Sequence, residues 1–330
     1  NLLHPMSQWQ QIKKEYENLK LLKKEFDLEF QKAVETGDLT RAKELKTQLE
    51  TKKDVLVEKI IPREIKGTWE NPETGEKKEI ILNIQENLKN YKEFYKSHLN
   101  LELSKEEEKE IKRIWAKNRK EIQKEMETYG YDYLLLLPEN LPDIQTLNAE
   151  LIETMEEPGK GKVKETYQSD NLKEGGGLKE VKTSQAQKTR IIITKNIQNT
   201  FQSQDPIIEA TLNKNIMELT GLTEEKVKKK IENKEPLTMN FKEKIKDKEI
   251  PIKAEGLSLE EYMIFQRMYF NQTNKHLDED GWTWFLKSLS GSRVVRSYWD
   301  PDDRRLYAHA YGPGNFDDYL GGRPSRSFSD

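Results

Sequence analysis

Hydrophobic and polar positions at the start of the chain follow the period of an α-helix. Apolar residues recur every three or four positions from Ser7 to Thr36, and a second such stripe runs from Leu39 to Ile60 and stops at Pro62. Between them, Gly37 suits the end of one helix and Asp38 the start of the next. The first stripe consists of Trp9, Ile12, Tyr16, Leu19, Leu22, Phe26, Phe30 and Ala33. The pattern predicts an antiparallel αα-hairpin over residues 1–62.

A β-hairpin and further helices are predicted for residues 63–130. Short apolar runs at residues 67–69 and 79–82 flank a turn sequence over residues 71–75. A helix with Tyr91 and Tyr95 on its apolar face follows. Ser104 with Glu107 is the signature of a capping box and opens a strongly charged helix that ends at Gly130.

The pattern changes after residue 130, where short apolar runs alternate with helical stretches. A strand is predicted at Tyr133–Leu137, another at Arg190–Thr194, and a long helix begins after Ser258. The lysine-dense segment 242–253 is expected to be an exposed connector. Four strand-like pieces close the chain, at residues 282–286, 294–299, 306–311 and 323–328. The chain is therefore predicted to be an α+β protein with a helical N-terminal region.

Composition and charge exclude several classes of function. The 56 basic and 59 acidic residues are interspersed and give a net charge of −3, so nucleic-acid binding is disfavoured. There is no cysteine, and the four histidines lack metal-site spacing, so we expect no disulfide, zinc site or cofactor. No apolar run is long enough to span a bilayer, and no secretory signal is visible. We expect a cytoplasmic protein, and because the chain begins at Asn1 rather than Met, a missing leader stays an open alternative.

The segment from Asp300 to Tyr319 has the composition of a binding surface. It is rich in Asp, Tyr, Gly, Asn, His and Arg, which combine rigid rings with adaptable polar groups. Within it, Tyr307, His309 and Tyr311 alternate with Leu306, Ala308 and Ala310, so a strand there would present one ringed face and one apolar face. An irregular β domain with ordinary solvated loops is the alternative interpretation of this composition.

The tryptophan-bearing strands and the ending Gly321-Gly322-Arg323-Pro324-Ser325-Arg326-Ser327-Phe328 resemble the C-type lectin fold of variable proteins from diversity-generating retroelements. The ending is also similar to that of uncharacterised proteins from minimal-genome, uncultured bacteria. The resemblance covers residues 131–330, with an insertion at about 157–256. It implies that the first and last strands of this region lie side by side and that late strands and loops carry the ligand surface. The formylglycine-generating enzymes share this fold, but their activity needs a cysteine pair that this chain lacks.

The resemblance implies a non-catalytic binding protein whose face at about residues 293–320 is variable and recognises an unknown protein or glycan. Trp282, Trp284, Val295 and Trp299 would be framework residues. The ligand-binding positions that it implies are Arg296, Tyr298, Asp300, Tyr307, His309, Tyr311, Asn315, Asp317, Asp318 and Tyr319.

Other interpretations stay open beside this one. The acidic residues among 300–318 offer oxygen ligands for calcium, but they lack a recognised spacing, and Arg304 and Arg305 can neutralise them. His309 beside Asp and Tyr residues suggests acid–base chemistry, although no paired nucleophile is apparent. The main alternative is a helical scaffold or adaptor protein of a mobile element with a structural β domain. In either case the N-terminal hairpin is a spacer or an oligomerising coiled coil.

Overall fold

The computed structural model describes residues 7–183, 188–315 and 317–330, except the side chains of Gln8, Lys182 and Thr183. The chain divides into two compact units, Asn1–Arg63 and Glu64–Asp330. The first is helical and the second combines helices with antiparallel sheets, which confirms the α+β class with N-terminal helices. Within the described residues, no helix has both the length and the apolar character that a membrane crossing requires.

The first unit is a hairpin of two helices, α1 (Gln8–Thr36) and α2 (Thr40–Ile60). A capping box at Ser7 opens α1, and Gly37 ends it in the left-handed conformation that favours glycine, with φ of 77°. Two ion pairs join the helices, from Arg41 to Glu25 at 3.2 Å and from Lys59 to Glu15 at 2.6 Å. The seam between the helices buries Ile12, Leu22, Ala33, Ala42, Leu45 and Leu56.

The second unit contains the remaining elements. Its described α-helices are α3 (Ile84–Leu99), α4 (Lys105–Tyr129), α5 (Ile144–Asn148), α6 (Asp170–Glu174), α7 (Pro206–Glu209), α8 (Ile216–Thr220), α9 (Glu224–Glu232) and α10 (Leu259–Thr273), and a π-helix (Ala149–Glu153) and a 3₁₀ helix (Leu178–Glu180) complete the set. Its described strands are β1 (Glu64–Glu70), β2 (Lys77–Asn83), β3 (Tyr133–Leu137), β4 (Glu156–Glu157), β5 (Gly161–Lys162), β6 (Tyr167–Gln168), β7 (Lys182–Thr183), β8 (Arg190–Thr194), β9 (Thr238–Ile245), β10 (Lys248–Gly256), β11 (Trp282–Ser290), β12 (Arg293–Asp300), β13 (Arg305–Tyr311), β14 (Leu320–Gly322) and β15 (Pro324–Phe328). The expected hairpin at residues 67–82 is confirmed as the pair β1–β2.

A five-stranded sheet in the order β3-β8-β15-β10-β9 forms the core of the second unit. Every residue of β3 and β8 is buried, as in a strand that is covered on both faces. From α3, the hydroxyls of Tyr91 and Tyr95 donate hydrogen bonds to the carbonyls of Leu134 and Leu136, at 3.1 and 2.7 Å. Helix α3 is thereby fixed to the edge strand β3.

The order and pairing of this sheet correct three expectations. The first and last strands, β3 and β15, do not lie side by side, because β8 pairs with both of them. The apolar run 191–193 of β8 suits an interior strand that has a partner on each edge. The segment 157–256, expected as an insertion, contributes β8, β9 and β10. Residues 242–253 are not a connector, because they belong to the antiparallel hairpin β9–β10.

The second large sheet has the order β14-β11-β12-β13-β6, and β7 pairs with β11 beside this path. One side of it packs on α10 and the segment that follows. Trp299 stacks on His276 with ring centroids 3.5 Å apart, and Phe285 lies 4.8 Å from Tyr262 of α10. Such ring contacts fill a close-packed interior. This side of the sheet therefore faces the core.

A buried ion pair ties residues near the end of the chain to the segment between α10 and β11. Arg323 donates from Nε and Nη2 to the carboxylate of Asp278, at 3.0 and 2.9 Å, and both residues are almost fully buried. Its remaining donors reach the carbonyls of Ile197 and Gln198, each at 2.7 Å. The preceding Gly322 has no room for a side chain, because a Cβ there would lie 2.4 Å from Cε of Met239. The Gly-Gly-Arg ending thus has a packing role.

Candidate recognition face

Strand register brings six ring-bearing side chains together on the second sheet. Arg296 pairs with His309, and Tyr298 pairs with Tyr307, so these four side chains point to the same side. Trp282 of β11 lies against Tyr298, with centroids 4.1 Å apart, and Tyr307 lies 4.7 Å from Tyr167 of β6. We define the aromatic face as Tyr167, Trp282, Tyr298, Tyr307, His309 and Tyr311. All six side chains are partly exposed.

The rings contact one another from one edge of the face to the other. Tyr298 lies 5.1 Å from Tyr307, and Trp282 lies 4.6 Å from His309 with the rings nearly perpendicular. Tyr311 continues the row at 6.0 Å from His309. Edge-on and tilted contacts at these separations are favourable for aromatic pairs. The face is therefore a connected layer of rings rather than a set of isolated side chains.

The opposite side of β13 anchors the aromatic face. Leu306, Ala308 and Ala310 are fully buried, while the ring-bearing residues between them are half-buried. The alternation predicted from the sequence is confirmed. With every second side chain packed in the core, the strand has little freedom to move, so the rings project from a rigid base.

Arg296 braces the face instead of lying open on it. The residue is only 1% exposed. Its guanidinium carbon lies 4.1 Å from the ring centroid of Trp282 and 3.7 Å from that of Tyr311, and Nη1 donates to Asp317 at 2.8 Å. A cation between two ring faces is attracted to both. The expectation that Arg296 is an exposed ligand contact is wrong, because neighbouring rings and Asp317 cover it.

His309 sits in the middle of the face as a neutral imidazole. Burial, together with the positive charge of Arg296, lowers its pKa to about 4. Among the described residues its Nε2 has no hydrogen-bond partner. A histidine with so low a pKa is a weak general base near neutral pH. At neutral pH it therefore belongs to the face as an uncharged ring.

Aspartates hold the tyrosine hydroxyls at the edge of the face. Tyr307 donates to Asp303 at 2.7 Å, and Tyr298 donates to Asp300 at 3.2 Å. Hydrogen bonds from Lys164 and Tyr307 lower the pKa of Asp303 to about 2, while the bond to Asp303 raises the pKa of Tyr307 to about 12. These carboxylates are therefore engaged with protein donors. No group of three or more acidic or histidine residues suited to hold a metal is found in the parts of the chain described above, so the calcium hypothesis gains no support.

The loop between β13 and β14 carries the other residues implied by the resemblance. Asp317 reaches Arg296, whereas Asn315 and Asp318 have exposed side chains. Tyr319 is 53% exposed, and its ring packs edge-on against Phe201 at 4.4 Å rather than against a ring of the aromatic face. Phe316 lies outside the described residues.

Two members of the face were not predicted from the sequence. Trp282 was expected in the framework, yet it is half-exposed and packs against Tyr298, whereas Trp284, Val295 and Trp299 are buried as expected. Tyr167 comes from a polar segment in which no strand was predicted. It joins the face because the two-residue strand β6 pairs in parallel with β13. Trp282 could be assigned only from the pairing of β11 with β12, because that pairing sets the side of the sheet on which each β11 side chain lies. For Tyr167, the sequence offered no signal.

No model of a known protein family matches the chain, and neither the curated proteins nor the solved structures contain a significant match to it.

Proposed function

We propose that the protein is a non-catalytic binding protein that recognises a protein or glycan ligand through the aromatic face. The observation that carries this proposal is the connected layer of half-exposed rings, whose supporting strands are buried on their other side. Rings held in this way lose little conformational freedom when a ligand binds. They offer large flat contact areas, and surface aromatics of this type dominate the energy of many interfaces.

The chemistry of the face favours binding over catalysis. The tyrosine hydroxyls are bonded to aspartates, and the pKa of His309 is too low for an efficient base near pH 7. What the face offers a ligand is ring surface for stacking and carboxylates along one edge. A sugar ring or an extended peptide matches this combination of flat apolar surface and polar rim.

A second part of the proposal is that the residues of the face vary between copies of the gene. This part rests on the resemblance to variable proteins of diversity-generating retroelements. The proposed variable positions, such as Tyr298, Tyr307 and Tyr311, have side chains that alternate with buried ones along their strands. Such positions accept many residue types, because the core beneath them does not change. Inspection of neighbouring DNA tests this part. We expect a reverse transcriptase gene and a near-copy of the codons for residues 290–328 that differs at adenines. Absence of such a copy would remove diversification and leave ligand binding intact.

Binding itself is tested with a glycan array and a displayed peptide library, each probed with the labelled 330-residue chain. For any ligand that is selected, Tyr167→Ala and Tyr307→Ala should each weaken binding about 5- to 150-fold, the loss of about 1–3 kcal/mol typical of a central interface aromatic. Tyr319→Ala is the matched control, because it removes an exposed tyrosine outside the aromatic face. Equal losses for Tyr307→Ala and Tyr319→Ala would contradict the proposal.

A helical scaffold or adaptor is the second candidate function. It is favoured by the exposed apolar side chains of α1 and α2, which include Trp9 and Val34 at 73% and 68% exposure. A protein of this kind would bind its partners through the hairpin. Its binding would then survive Tyr307→Ala and be lost when the hairpin is altered, which separates the two candidates.

A further inference from the structure

Exposed apolar side chains are concentrated in the N-terminal hairpin. Of the twelve large hydrophobic residues that are exposed in the described structure, ten lie in α1, α2 and their turn. Scattered surface leucines are ordinary, but a concentration of this kind marks an interaction surface. The ten are Trp9, Tyr16, Leu21, Leu28, Phe30, Val34, Leu39, Val55, Val57 and Ile60.

Six of these side chains share one side of the hairpin. On α1, the helical period places Trp9, Tyr16, Phe30 and Val34 along one flank of the stripe that packs on α2. Helix α2 runs antiparallel to α1. When the helical period is applied to α2 in this direction, Leu39 and Val57 lie on the same side of the hairpin. We define these six residues as the hairpin face.

The other side of the seam is closed by charged residues. There the ion pairs of Arg41 with Glu25 and of Lys59 with Glu15 bridge the two helices. The hairpin thus has one flank sealed by ion pairs and one flank that is apolar and open. This asymmetry is typical of a helix pair that packs against another helix layer.

The hairpin buries little by itself. Among its described residues, the seam contains six buried apolar side chains, two of which are Ala33 and Ala42. Glu15 and Glu29 occupy seam positions where leucine would otherwise be expected. A unit of this size with so small a core is marginal unless further apolar surface is covered.

We propose that the hairpin face pairs with the hairpin face of a second copy of this chain, with both turns at the same end, to form a four-helix bundle. In this arrangement α1 of each copy lies against α2 of the other, so neighbouring helices are antiparallel throughout. Phe30 and Val34 then meet Leu39 of the second copy near the turns. Trp9 and Tyr16 meet Val57 of the second copy at the open end.

Charge complementarity selects the second copy and the orientation. Between the two apolar ends of the face, α1 exposes Lys23 and Asp27, and α2 exposes Lys46 and Glu50. With both turns at one end, Lys23 stands at the level of Glu50 of the second copy, and Asp27 at the level of Lys46. Each pairing of α1 with α2 of the second copy therefore contains two contacts between opposite charges.

The reverse orientation is disfavoured by the same charges. If the turns lay at opposite ends, α1 would lie on α1 of the second copy. Lys20 would then approach Lys23 of the second copy, and the like charges would repel. The sequence of the face thus fits its own copy in one orientation better than in the other.

The available area is sufficient for a specific dimer. If each of the six side chains loses roughly 100 Å² on pairing, the two copies together bury about 1,200 Å², the lower limit for a specific interface. An interface at this lower limit is typical of weak and reversible association. A dimer would carry two aromatic faces, which raises avidity for any ligand that displays repeated sites.

The mass of the 330-residue chain in solution tests the proposal. In sedimentation equilibrium from about 1 to about 100 µM, a range that covers weak and reversible association, the chain should approach twice its monomer mass of 38.9 kDa at the highest concentrations. The double variant Tyr16→Glu/Phe30→Glu should remain monomeric. The double variant Leu21→Glu/Leu28→Glu is the control, because it places the same charges on exposed apolar positions of α1 outside the hairpin face. It should dimerise like the unaltered chain, and circular dichroism should show equal helix content in all three proteins.

A charge exchange tests the orientation. Lys23→Glu and Glu50→Lys should each raise the dimer Kd about tenfold, and the combined variant should return it to near the original value. Each single change also disturbs an ion pair within its own helix, but the combined variant keeps both disturbances, so recovery reports the contact between copies. A monomeric chain at all concentrations would overturn the proposal. So would an assembly larger than two copies, an equal effect of the control variant, or a combined variant no better than the single ones.

Discussion

Replacement of Arg296 by methionine separates a structural brace from a ligand contact. The substitution Arg296→Met keeps the length and approximate volume of the side chain but removes its charge and all its donors. The native guanidinium lies between Trp282 and Tyr311 and donates to Asp317. We expect the variant to unfold more easily and to lose ligand binding together with the order of the rings.

The size of the effect follows from three contributions. Two desolvated cation–π contacts are worth about 1–2 kcal/mol each, and a charge-assisted hydrogen bond about 1.5–3 kcal/mol. The substitution also removes an unfavourable contribution, the cost of desolvating a buried guanidinium. The Nε atom of that guanidinium has no hydrogen-bond partner among the described residues. The Asp317 side chain is 38% exposed, which weakens its part of the pair. A net loss of about 2–3 kcal/mol is expected.

Urea unfolding followed by tryptophan fluorescence measures this loss, because five of the six tryptophans lie in the unit Glu64–Asp330. For a unit of this size the dependence on urea is about 3 kcal/mol per M, so the midpoint should fall by about 1 M with an unchanged slope. Tyr307→Ala, which removes a half-exposed ring, should lower the free energy of unfolding by less than about 1 kcal/mol. An unchanged midpoint for Arg296→Met combined with lost binding would refute the brace and make Arg296 a direct contact.

Two further predictions concern buried ionisable side chains. Burial lowers the pKa of His276 and of His309 from 6.5 to about 4, so the unfolded chain takes up these protons first. The free energy of unfolding should therefore fall as the pH drops from about 6.5 to about 4, and His276→Gln should reduce this dependence in urea titrations at several pH values. Asp278→Asn leaves the cation of Arg323 buried without its counter-charge and should lower the free energy of unfolding by about 3–5 kcal/mol. Calorimetry measures this loss of unfolding free energy. If the loss is smaller for Asp278→Asn than for Arg296→Met, the Gly-Gly-Arg ending does not have the packing role assigned to it.

Local patterns predicted those elements whose signals lie close together in the chain. The capping boxes at Ser104 and Ser258 open helices as expected, and Gly37 ends α1. Each of these signals acts within one turn of backbone, so no distant residue is needed to satisfy it. The lysine-dense β9–β10 hairpin was missed, because its charged residues face solvent and its two strands are stabilised mainly by pairing with each other.

The candidate site was predicted along one strand but not across several. Alternation in β13 identified Tyr307, His309 and Tyr311 as one face, because side-chain direction along a strand has a period of two. Trp282 and Tyr167 were not identified, because membership of the face depends on which residues pair across β11, β12, β13 and β6.

The sequence alone therefore determined the α+β class, the N-terminal helices, and the alternation that turns one side of β13 outward, since each depends on neighbours within a few residues. Only the tertiary structure decided that β8 lies between β3 and β15 and that Arg296 is enclosed by Trp282 and Tyr311. The physical reason is that strand order and burial of a charge are settled by competition among distant segments for the same partners, which no local pattern records.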